Sequence, residues 1–143
     1  MHESNTKNLN NKSAEEFLGN SSYPAISYGG YRELSRDFQP SINEIKEDIN
    51  LLYALGYRVI RTYDVHHKFA ENTLEAIQQL RDEDSSFEMY VMLGAWIDCM
   101  DSFTEKPNHN EEDLESNQRE VLEAVRLTKK YPEIVKIIAV GNE

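Results

Sequence analysis

The chain has 143 residues, enough for one ordinary domain, and 39% of them are hydrophobic, which suits a packed core. Its 26 acidic residues against 15 basic ones leave a formal net charge of −11. With no basic stripe to offset that charge, the chain repels phosphate backbones, and nucleic acid is excluded as a partner. No apolar run approaches the roughly 18–20 residues needed to span a bilayer, the N-terminus lacks the basic-then-apolar layout of a secretory signal, and the one cysteine, Cys99, can form no internal disulfide.

Residues 1–22 are polar and rich in Asn and Ser, and read as a disordered leader or a short helix around Ser13–Leu18. From Tyr23 the pattern changes, with a short strand expected around Ala25–Tyr28 and a Gly29-Gly30 loop after it. Ser41 stands three positions before Glu44, the spacing of a capping box, and Ile42, Ile45, Ile49, Leu52 and Leu55 follow at helical intervals up to Gly56. "YRVIRTY" then reads as a strand of β-branched and aromatic residues. A second helix is expected over roughly Asn72–Asp82, with Leu74, Ile77 and Leu80 on its apolar side. "FEMYVMLGAWI" is the third strand, followed by an acidic loop of about a dozen residues. A third helix is expected from about Glu112 to Lys130, burying Leu114, Val121, Leu122 and Val125, before Pro132 and a final strand, Ile134–Val140.

This β-α-β-α-β-α-β order, with near-continuous apolar strands, means parallel strands covered by helices. A doubly wound open sheet and part of a (β/α)₈ barrel both fit it. "SYGGYRE" matches neither G-x-G-x-x-G nor a P-loop, which argues against a nucleotide binder.

The C-terminal strand ends carry Tyr28, Arg61 with Tyr63 and Asp64, Trp96 with Asp98, and Asn142 with Glu143. Both architectures place active sites at such ends. Alternation puts Val59, Arg61 and Tyr63 on one face, Gly94, Trp96 and Asp98 on the corresponding face of the next strand, and Ala139, Gly141 and Glu143 on that of the last. An Arg, several aromatics and carboxylates suit a sugar, whose C–H faces pack on rings and whose hydroxyls bond to Asp, Asn and Arg. Asp64 reads either as a loop cap for the second helix or as a pocket acid. His66 and His67 read as loop histidines, since no further His or Cys stands at ligand spacing, and no metal site is assigned. Cys99, with no His placed to activate it, reads as a partly buried thiol.

"AISYGGYR", "LGYRVIRTYD", "VMLGAWID" and "NQREVLEAVRLTKKYPEIVKIIAVGNE" together resemble, in order and spacing, the amino-terminal half of glycoside hydrolase family 17, the β-1,3-glucanase and glucanosyltransferase family. The resemblance covers residues 23–143 and implies an α/β fold in the form of a partial (β/α)₈ TIM barrel, strands 1 to 4 with three helices. It implies that Glu143 is the general acid/base of a retaining glycosidase acting on β-glucan and that Asn142 bonds the substrate's 2-hydroxyl. It implies further that Arg61 and Tyr63 form the rim around the nucleophile, while Tyr28, Trp96 and Asp98 line sugar subsites; Asp64 is placed with the substrate-binding residues because its neighbours are. The family's nucleophilic Glu falls on a seventh strand, so the chain is expected to be a fragment that does not catalyse alone. A non-catalytic glucan-binding or partner-complemented half-barrel is the alternative. No cofactor is expected, and the resemblance suggests cell surface, periplasm or secretion.

Overall fold

The computed structural model describes residues 12–141. A 3₁₀ turn at Ala14–Glu16 precedes β1 (Ala25–Ser27), α1 (Ile42–Ala54), β2 (Val59–Arg61), α2 (Lys68–Glu83), β3 (Tyr90–Ala95), β4 (Cys99–Met100), β5 (Asn108–Glu112), α3 (Leu114–Lys130) and β6 (Val135–Val140). Strands β1, β2, β3 and β6 form a parallel sheet in that order, and β4 pairs with β5 antiparallel in a separate two-stranded sheet. No helix among the described residues is long and apolar enough to cross a membrane.

The helix signals act as their residue types require. The Ser41 side chain accepts from Glu44 N at 3.3 Å, and Glu44 Oε2 accepts from Ser41 N at 2.8 Å, closing the capping box. At the other end of α1, Gly56 takes φ +97°, and Gly56 N and Tyr57 N donate to Tyr53 O and Leu52 O, both at 3.0 Å. Those two bonds satisfy orphan carbonyls through a left-handed residue that only glycine adopts cheaply. Helix α2 begins four residues before the expected Asn72, because Phe69 N is satisfied by Gln39 Oε1 at 2.9 Å. That partner lies thirty positions upstream and leaves no mark in the local pattern.

One face of the sheet, with Ile60, Val91, Leu93 and Ala95, packs against Ile45 and Ile49 of α1, Leu74 and Ile77 of α2, and Ala124 and Leu127 of α3. The other face carries a smaller cluster of Phe17, Val59 and Tyr90, with Tyr23, Met92 and Ile137 against it. The strand alternation therefore sorts residues as the pleat demands.

Three expectations are corrected. The fold is α/β with three helices, but the sheet is open, and the partial (β/α)₈ barrel does not stand. Among the described residues β1 and β6 are outer strands with no further strand paired to them. Alternating β and α elements dictate parallel pairing, whereas closure depends on what meets the edges, which periodicity does not encode. Second, the acidic loop contains the β4–β5 hairpin; "NHNEE" has no apolar alternation to announce a strand. Third, α3 turns a different face inward: Leu114 and Leu122 are 64% and 62% exposed, Val121 and Val125 are exposed too, and Asn117, Glu120, Ala124 and Leu127 are buried.

Gly94 lies where the chain leaving β2 crosses β3. A Cβ there would stand 2.4 Å from Thr62 O and 2.6 Å from Tyr63 O, both backbone atoms that cannot swing aside. Gly94→Ala is therefore expected to lower stability by about 1–3 kcal/mol, the range for overpacking a close-packed interior, read from urea unfolding midpoints at constant m.

Helices α2 and α3 are also tied by charge. Glu71 accepts from Arg126 at 3.0 Å, and from Lys130 and Lys68 at 3.1 Å each. Partial burial works to raise its carboxyl, but donation from Lys68, Arg126 and Lys130 outweighs burial and brings it from 4.5 down to about 2. A carboxyl with a depressed folded pKa stabilises above its unfolded pKa and loses that contribution as pH falls through the folded value. Unfolding measured between pH 4.5 and about 2 should lose stability more steeply in the native protein than in Glu71→Gln.

Candidate functional site

The C-terminal ends of β2 and β3 are held by one buried face of α3. Glu120, 2% exposed, accepts through Oε1 from Val65 N at 2.6 Å and from Trp96 N at 3.0 Å. One turn earlier, Asn117 Oδ1 accepts from Asp98 N at 2.7 Å, and Asn117 Nδ2 donates to Asp98 O at 3.0 Å. Backbone amides leaving a strand have lost their ladder partners, and these two side chains supply them. Sequence reasoning missed both residues. The available signal was their i, i+3 spacing in line with Ala124 and Leu127, a polar pair continuing a core stripe.

Trp96 and Asp98 meet at the end of β3. Indole Nε1 donates to Asp98 Oδ1 at 2.6 Å, which orients both groups and leaves the indole partly exposed. On β2, the Arg61 guanidinium lies 5.9 Å from the centre of the Tyr63 ring. Arg61 also borders a cleft of about 200 Å³ with Ser27, Val59 and Met92, on the sheet face that α1 to α3 do not cover. Beside β3, Gly141 N donates to Ala95 O at 2.9 Å, so the chain leaving β6 runs next to the residue preceding Trp96. Asn142 and Glu143 lie outside the described residues.

Tyr28 and Asp64 sit deeper than rim groups. Tyr28 is buried with its ring 5.3 Å from that of Phe69, and its hydroxyl donates to Asp48 Oδ2 at 2.8 Å. Burial first, and then the Asp48 carboxylate, push the Tyr28 phenol well above its ordinary pKa. Burial would also raise Asp48, but donation from Arg32 and Tyr28 outweighs it and keeps that carboxyl below the usual range. Asp64, 7% exposed, accepts from His67 N at 3.3 Å and lies 2.9 Å from His67 Nδ1, so it braces the entry to α2.

Two groupings were hidden from the sequence. Asp64, His66 and His67 place ligand-capable atoms within 4.8 Å of one another, the third member being a carboxylate rather than a further His or Cys. The β4–β5 pairing brings His109 Nδ1 to 3.6 Å from Cys99 Sγ, so this thiol does have an imidazole beside it.

No family model matches the chain, and no curated protein matches it. Among solved structures, it is similar to the crystal structure of an endo-laminarinase from Formosa Hel1_33_131. The two share 55% sequence identity with a TM-score of 0.88 over 92% of this chain and 34% of that one. The chain thus spans about a third of that enzyme's length.

Glu120→Ala would leave the amides of Val65 and Trp96 without their acceptor, each buried unmet donor costing about 1–3 kcal/mol. The expected outcome is a destabilised protein in which hydrogen exchange accelerates at Val65 and Trp96 well before it does at the centre of β3.

Proposed function

We propose that this chain forms part of the substrate and proton-transfer site of a β-glucan hydrolase. The observation that carries the reading is the 55% identity to an endo-laminarinase over 92% of the chain. The strand-end chemistry agrees with it. A half-exposed indole fixed by a carboxylate offers a glucose ring both a flat apolar surface and an acceptor for its hydroxyls. Arg61, at the cleft on the sheet face free of helices, adds a cation, and Tyr63 beside it a second ring.

In its finer form, the proposal assigns the enzyme to glycoside hydrolase family 17, cleaving β-1,3 bonds with retention. Glu143 protonates the glycosidic oxygen as the bond breaks, then removes a proton from water or an acceptor hydroxyl to release the glycosyl-enzyme. Asn142 bonds the 2-hydroxyl, where contacts strengthen as positive charge develops at the anomeric carbon. Tyr28 and Asp64 act behind the rim, Tyr28 through its bond to Asp48 of α1 and Asp64 through His67 at the start of α2. Retention requires a second carboxylate as nucleophile, about 5–5.5 Å from the first. That role is assigned to no residue of this chain.

Two measurements test the proposal. Laminarin should bind the chain in affinity electrophoresis, and Trp96→Ala should weaken binding several-fold, in line with about 0.5–1.5 kcal/mol for lost ring stacking. Equal retardation of Trp96→Ala and native protein would count against the site. In the catalytically competent protein that carries this sequence, Glu143→Gln should depress laminarin hydrolysis by roughly a thousandfold or more. Aryl β-glucosides with acidic leaving groups need less protonation and should lose much less at the glycosylation step. Equal loss on both substrates would remove Glu143 from the acid role.

A further inference from the structure

We propose that Asp64, His66 and His67 form a binding site for a divalent transition-metal ion, of the kind that takes imidazole and carboxylate together, on the loop between β2 and α2. The three residues present ligand-capable atoms within 4.8 Å of one another. Zinc bonds of about 2.0–2.2 Å arranged tetrahedrally put neighbouring donor atoms about 3.3–3.6 Å apart. Asp64 Oδ1 lies 2.9 Å from His67 Nδ1 and 3.7 Å from His66 Nδ1, on either side of that spacing. Glu120 Oε2 stands 3.1 Å from the same His66 Nδ1, a second carboxylate beside the cluster.

The surroundings are built rather than incidental. Asp64 and Glu120 are nearly buried, and their loop is fixed by Val65 N on Glu120 and His67 N on Asp64. Both imidazoles remain partly exposed and border a groove of about 1100 Å³ between α2 and α3, through which an ion can enter. Arg36 approaches only the far oxygen of Asp64, at 3.9 Å, and leaves Oδ1 to the histidines. Imidazole with carboxylate suits Zn²⁺, Ni²⁺ or Cu²⁺ and not Ca²⁺ or Mg²⁺. This inference stands on the loop's geometry and is independent of the glucan reading.

Zn²⁺ titration of the native chain by calorimetry should show one site in the micromolar range, unaffected by excess Ca²⁺. Co²⁺ should give the intense visible bands of a tetrahedral ion. His66→Ala and His67→Ala should each weaken Zn²⁺ binding at least tenfold, with far-ultraviolet dichroism verifying that the variants fold. His109→Asn and Cys99→Ser, which alter the hairpin's thiol–imidazole pair, should leave it unchanged. Absence of saturable Zn²⁺ binding below the millimolar range overturns the proposal. So does binding that survives in the His66 and His67 variants, or is lost in the hairpin ones.

Discussion

The strand-end region depends on one buried carboxylate. Glu120 sits in the face of α3 that packs on the sheet, and its Oε1 takes the amides of Val65 and Trp96 together. These amides belong to connections leaving two different strands. Their common acceptor sets the distance between the β2 and β3 ends, while Asn117 holds the next stretch through Asp98. A charged group in such a place is tolerated because both of its oxygens have partners. Its worth lies in positioning, since the apolar core around Leu74, Leu93 and Leu127 already supplies the cohesion.

With that spacing set, the remaining geometry has little freedom. Thr62 N donates to Met92 O at 3.1 Å, and Gly94 N donates to Thr62 Oγ1 at 3.2 Å, so the chain beyond β2 is drawn across β3. Gly94 has no side chain because the carbonyls of Thr62 and Tyr63 occupy the space one would need. Packing and polar contact thereby converge on one arrangement: Tyr63 over the glycine, Trp96 two residues further on, and Arg61 beside the open cleft. Pre-positioned groups of this sort lose little freedom on binding a ligand.

Much of this could be read from local pattern, and what could not be read has a physical cause. The capping box at Ser41, the stop at Gly56 and the burial of Ile60, Val91 and Leu93 follow from residues close in sequence. Alternation puts Trp96 and Asp98 on one face, but their hydrogen bond forms beyond the end of β3. The inward face of α3 was misread because hydrophobicity pointed to Leu114 and Leu122, while the sheet edge required hydrogen-bond acceptors at Asn117 and Glu120. Residues chosen to satisfy distant amides look like surface residues in a periodicity analysis. The same blindness covers Gln39 at the start of α2, His109 beside Cys99, and the open edges that decide against a closed barrel. Each depends on a partner far along the chain. Asp64 beside His66 and His67 is different: it is near in sequence, but a lone carboxylate before a helix reads as a cap and carries no ligand signal of its own.

The two oxygens of Glu120 also link the two candidate sites. Oε1 holds the Trp96 amide at the end of β3, and Oε2 faces His66 on the loop between β2 and α2. At the end of β2, Arg61 borders the open cleft while the next residue, Thr62, is buried. A carboxylate is planar and rigid, so its two acceptors cannot move independently. Whatever draws Oε2 toward an ion at His66 must rotate or shift Oε1 and with it the acceptor of Trp96 N–H. A shift of that carboxylate is therefore felt at both connections, through Val65 and Trp96 on one oxygen and His66 on the other. That shared contact follows from where α3 places Glu120, at the connections that leave β2 and β3.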